Sequence, residues 1–127
     1  MLYKGKEFEQ MKKYKSIFEE KQKLIEMALV GKTKDLEIQV YTDHEPMHFH
    51  LVKKNKYEAR IKVPKDLPTE ISELEIMNYK FQKSKKYKVT NQDLKDLLLF
   101  LKEKSKINED MNNFNVMKTV WKALNPE

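Results

Sequence analysis

The chain contains no cysteine. Disulfides and thiolate ligands are excluded, so a bound metal would rest on imidazole, carboxylate or water. Only two glycines occur, Gly5 and Gly31, which argues against a glycine-rich phosphate-binding loop. Arginine occurs once, at Arg60, so 25 of the 26 basic residues are lysines. No apolar run approaches the roughly 20 residues of a membrane span. The start, Met1-Leu2-Tyr3-Lys4-Gly5-Lys6, lacks the apolar stretch of a secretion signal. These absences lead us to expect a cytoplasmic protein of bacterial or phage type with no membrane contact. A length of 127 residues is enough to bury one core without staples, giving a single domain over 1–127.

Set against 20 acidic residues, the basic ones leave a net charge of +6. Lysine attracts polyanions diffusely and with strong salt dependence, whereas arginine carries most bidentate phosphate and base recognition. Nucleic acid is therefore a weakly supported partner. The residues that would contact a polyanion are Lys53, Lys54 and Lys56 in one lysine-rich turn, and Lys85, Lys86 and Tyr87 in another. The bland alternative is that both turns are simply solvated.

Hydrophobic periodicity predicts an α+β architecture: a long N-terminal helix, a small antiparallel sheet of three to four strands including a hairpin, and two C-terminal helices. The first helix is expected over Glu7 to about Val30, on the spacing of Phe8, Met11, Tyr14, Phe18, Ile25 and Ala28, with Gly31 as its C-terminal cap. The sheet region, 36–89, begins where Leu36, Ile38 and Val40 alternate with polar residues. A hairpin follows over His48–Val52 and Lys56–Val63, and a strand is expected near Glu73–Phe81. The helices occupy 90–125. One starts at Thr90, an N-cap with Asp93 three positions on, and carries Leu94, Leu97, Leu98 and Leu101. The other carries Phe114, Met117, Val120, Trp121 and Leu124 as core anchors.

All three histidines fall in Asp43-His44-Glu45-Pro46-Met47-His48-Phe49-His50. This is the one segment with the ingredients for metal or proton chemistry. Pairing Val52 with Tyr57 would set His50 opposite Ala59 and His48 opposite Ile61. His48 and His50 would then share an apolar, inward face, with space left by Ala59. Glu58 would lie on the other face. In that register His48 and His50 form an H-x-H chelate, His44 folds back past Pro46 as a third ligand, and Asp43 or Glu45 orients an imidazole. A divalent metal such as zinc or manganese would suit the set. The competing reading is two neutral histidines packed in the core. No catalytic residue can be assigned from the sequence.

Asp43-His44-x-Pro46-x-His48-Phe49-His50 resembles the signature of a small uncharacterised bacterial domain family, D-H-x-P-P-H-F-H. Tyr57-Glu58-Ala59-Arg60-Ile61, the leucine-rich stretch Leu94–Leu101 and Trp121 are similar to that family's later features, so the resemblance spans about residues 36–124. Met47 departs from it where a second proline is usual. The N-terminal helix looks like an addition, and the segment 64–89 is longer than the family pattern. The resemblance implies a fold and a motif built on Asp43, His44, Pro46, His48, Phe49 and His50, with Tyr57 and Ala59 as structural members. It attaches no reaction. Its arrangement is similar to small paired genes of the toxin–antitoxin kind.

Three functions follow as expectations. The first is a small protein-binding module of a toxin–antitoxin-like, phage or mobile-element system, with a protein partner. The second is a metal-dependent hydrolase or nuclease-like toxin using His44, His48 and His50. The third is an inhibitor of a nucleic-acid-processing complex.

Overall fold

A computed structural model describes residues 27–43 and 46–126. Five strands form an antiparallel meander in the order β1-β2-β3-β4-β5. They are β1 (Met27–Thr33), β2 (Leu36–Tyr41), β3 (His48–Lys53), β4 (Tyr57–Lys62) and β5 (Glu75–Gln82). A single 3-10 turn, Ile71–Glu73, precedes β5, and two helices follow, α1 (Asn91–Lys102) and α2 (Asn113–Leu124). The helices pack on one face of the sheet, chiefly against β1 and β2. Among the described residues no helix is long and apolar enough to cross a membrane.

Local chemistry accounts for the helices. Thr90 accepts a hydrogen bond from the Asp93 N–H at 3.0 Å, and Asp93 accepts one from the Thr90 N–H at 3.2 Å. This reciprocal cap satisfies two N–H groups that the first turn leaves unpaired. Asn112 caps α2 by accepting from the Asn115 N–H at 2.8 Å. Leu97 and Leu101 on α1 and Val116, Met117 and Trp121 on α2 are buried in one cluster with Ile38, Val40, Phe49, Leu51 and Ile61 of the sheet.

The α+β class holds, but the layout differs from the expectation in three ways. First, the stretch at the end of the expected N-terminal helix is strand from Met27 onward. Ala28 and Val30 are buried while Met27 and Leu29 are half-buried, a period of two that a short apolar run disguises as a helical stripe. The rest of that helix, residues 1–26, lies outside the described residues. Among the described residues the sheet therefore has five strands, not three or four.

Second, Gly31 does not cap a helix. It sits in β1 beside a break in register against β2, under the Phe100 ring of α1. A Cβ there would stand 2.6 Å from Phe100 Cζ. Only glycine lets the helix come so close to the strand.

Third, the hairpin register is one residue away from the expected one. Lys53 pairs with Tyr57, Leu51 with Ala59, Phe49 with Ile61, His50 with Arg60 and His48 with Lys62. The loop is Lys54-Asn55-Lys56, and Asn55 takes the left-handed conformation (φ 65°) that asparagine tolerates. A loop one residue shorter slides the ladder, and a one-residue slip moves every side chain to the other face. The apolar core set on this hairpin is therefore Phe49, Leu51, Tyr57, Ala59 and Ile61. Ala59 opens no space beside His50. His48 and His50 stand on the opposite face, with Glu58 and Arg60.

Candidate metal centre

Although they face away from the helix-covered core, His48 is 3% and His50 1% exposed. The β2–β3 pairing ends at Gln39 and His50. Beyond it, aromatic rings close around the histidines. Tyr41 lies 4.2 Å from the His50 ring, the two histidine rings are 5.4 Å apart, and Trp121 of α2 lies 5.2 Å from His48.

The hydrogen bonds decide which nitrogen of each ring carries a proton. His48 Nδ1 is 2.8 Å from the Pro46 carbonyl oxygen. A carbonyl only accepts, so Nδ1 donates and a neutral His48 presents its lone pair at Nε2. That Nε2 faces Asp43 Oδ2 at 3.2 Å. A lone pair against a carboxylate is repulsive unless a proton or another cation lies between them. His50 Nδ1 donates to Glu58 Oε2 at 2.7 Å. Its Nε2 is buried with no hydrogen-bond partner among the described residues, and leaving such a nitrogen unsatisfied costs about 1–3 kcal/mol. Burial holds the His50 pKa below the ordinary histidine value, against the opposing pull of Glu58. The ring is therefore neutral at pH 7 and Nε2 carries a lone pair.

Asp43, His48 and His50 each offer a ligand atom, and these atoms lie within 4.8 Å of one another. A shared zinc would ask them to stand about 3–4 Å apart. Each histidine has its Nδ1–H tied down, by a carbonyl in one case and a carboxylate in the other. Metal-ligating histidines are oriented by this same device. Asp43 is placed by the C-terminal end of α2. The Asn125 side chain accepts from the Asp43 N–H at 2.7 Å and donates to the carbonyls of Tyr41 at 3.0 Å and Trp121 at 3.1 Å. Its amide donors and acceptor are all in use.

Not all the residues singled out in the sequence meet here. His44 and Glu45 lie outside the described residues. Asp43 joins the histidines directly, and Pro46 contributes its carbonyl. Phe49, Ala59 and Tyr57 belong to the core face. Tyr57 donates its hydroxyl to Asp93 at 2.8 Å, and burial with that carboxylate beside it pushes its pKa far up. Lys53 is spent on Asp93 at 3.2 Å and Asp35 at 3.8 Å. Lys54, Lys56, Lys85 and Lys86 are exposed and Tyr87 is half-buried.

Glu58, Tyr41, Trp121 and Asn125 are contacts of the site that sequence reasoning missed. Asn55 was the available signal for Glu58, because a left-handed asparagine in a three-residue loop puts Glu58 on the histidine face. Trp121 and Asn125 come from a distant segment and leave no local trace, and Tyr41, two residues before Asp43, is brought to His50 by the pairing of β2 with β3. No protein-family model, no curated protein and no solved structure matches the chain.

Proposed function

We propose that this chain is a divalent-metal protein whose ligands are the Asp43 carboxylate, His48 Nε2 and His50 Nε2. The observation that carries this reading is the buried Nε2 of His50, which has no hydrogen-bond partner among the described residues, beside the His48 Nε2 and the Asp43 carboxylate 3.2 Å apart. A cation there would give the His50 Nε2 a partner and take the place of the proton between His48 and Asp43. Two imidazoles and one carboxylate suit zinc, manganese or iron(II). The Asp43 carboxylate offsets one of the two positive charges, and Glu58, which also faces the Lys80 ammonium at 3.9 Å, offsets part of the other.

Three protein ligands leave a coordination position for water or substrate. The supported chemistry is therefore activation of a bound water, whose pKa a zinc ion lowers to about 7. Asp43 is the open side of the centre, its side chain 19% exposed against 1% for His50. The reading is that of a small metal-dependent hydrolase with Asp43, His48 and His50 as its centre.

Elemental analysis of untagged protein, followed by zinc and manganese titration after chelator treatment, tests it. One equivalent of metal in the wild type and none in His48→Ala/His50→Ala is the expected result. Absence of binding by the folded wild type would exclude the centre.

A further inference from the structure

The lysine turns lie far apart in sequence and together in space. The Lys83 N–H donates to the Lys56 carbonyl at 2.9 Å, which joins the β3–β4 loop to the segment after β5. Gln82, paired with Tyr57, donates from its side chain to the Tyr87 carbonyl at 2.9 Å and folds the segment back. One corner of the sheet therefore carries Lys54, Lys56, Lys83, Lys85, Lys86 and Lys88, all exposed.

No acidic residue occurs in 53–57 or 82–92. Lys32, Lys34, Lys53 and Lys80 are ion-paired elsewhere, and among the described residues none of the six corner lysines is. Aromatic surface adjoins this corner. Phe81 of β5 is 50% exposed, and the Tyr87 ring carries the Lys86 ammonium 5.4 Å above it.

We propose that this corner is a binding surface for single-stranded nucleic acid. The lysines would track phosphates, and Phe81 would offer a ring on which an unpaired base stacks. Clustered positive charge alone would serve any polyanion. An exposed phenylalanine at its edge favours a polymer with bases over a sulfated or polyphosphate chain. Duplex DNA is disfavoured because its bases are not free to stack on a side chain. The surface lies at the Lys53 end of β3, about 17 Å along the strand from His48 at roughly 3.3 Å per residue. Phe81 lies nearer that centre, since it pairs across the ladder with Glu58, and the binding test is therefore run without metal.

The test uses chelator-treated full-length protein and a fluorescent oligo(dT), read by anisotropy over a salt series. With six phosphate contacts, log K should fall against log salt with a slope of about −4, at roughly 0.7 per phosphate on a single strand. Lys83→Gln/Lys85→Gln/Lys86→Gln should flatten the slope by about 2. The same change at the exposed Lys95, Lys102 and Lys122 should leave it unaltered. Phe81→Ala should weaken oligo(dT) binding about 5-fold or more while leaving heparin binding unchanged. Absence of oligo(dT) binding, equal losses in the two lysine triples, or tighter binding of duplex or heparin than of oligo(dT) would each overturn the proposal.

Discussion

Replacing His50 with leucine separates a metal ligand from a packed histidine, because the two predict opposite things of the metal-free protein. In metal-free wild type, His50 contributes one charge-assisted hydrogen bond to Glu58 at 2.7 Å, worth about 1.5–3 kcal/mol. It also buries an unpartnered Nε2, which costs about 1–3 kcal/mol. His50→Leu removes both, and buries an apolar side chain of similar size. Glu58 is not stranded, since it is partly exposed and has the Lys80 ammonium 3.9 Å away. The terms cancel, and metal-free His50→Leu should lie within about 1 kcal/mol of metal-free wild type. With free zinc at 100 times Kd, the wild type alone should gain about 2.7 kcal/mol. For a domain of this size that raises Tm by roughly 8–13 °C. Thermal unfolding of both proteins, with chelator and with zinc, measures the two gaps. A metal-free variant destabilised by more than about 3 kcal/mol, with no further separation on adding zinc, would refute the argument and make His50 a structural residue.

Two further outcomes test the frame that holds the site. Gly31→Ala should cost about 1–3 kcal/mol in urea unfolding, as expected of overpacking, because the new Cβ would meet the buried Phe100 ring at 2.6 Å. In a Phe100→Leu background the same change should cost much less, and equal costs in both backgrounds would show that the close approach is not the cause. Acid stability should depend on Asp93. Burial would raise its pKa, but the Tyr57 hydroxyl, the Thr90 N–H and Lys53 outweigh that and hold it below the ordinary value. A depressed carboxylate pKa contributes stability that is present above about pH 4, the unfolded value, and lost as pH falls through the folded one. The fall in unfolding free energy below pH 4 should therefore be shallower in Asp93→Asn than in wild type, and parallel curves would count against this role.

Much of the frame was legible. Alternation at Leu36, Ile38 and Val40 marked β2, because a half-buried strand exposes every second residue. Thr90 and Asp93 marked the start of α1, because a capping box is a contact between near neighbours. β1 was not legible. Ala28-Leu29-Val30 is too short a run to distinguish strand from helix, and its identity depends on pairing with β2. Gly31 was read as a helix cap, and only the position of Phe100 over β1 shows why glycine is needed there.

By itself, the sequence determined what the site is made of. It put every histidine within seven residues, and excluded thiolates by having no cysteine. It also placed His48 and His50 on one side of a strand, since a separation of two residues does so in any register. Which side was a tertiary decision. A three-residue loop through Asn55 turned the pair away from Phe49 and Leu51 and towards Glu58. The splayed end of β2 and β3 brought in Tyr41 and Trp121, and the end of α2 set Asp43 in place through Asn125. The nitrogen left without a partner results from these long-range contacts. No local rule could have specified it, because it depends on where four separate segments come to rest.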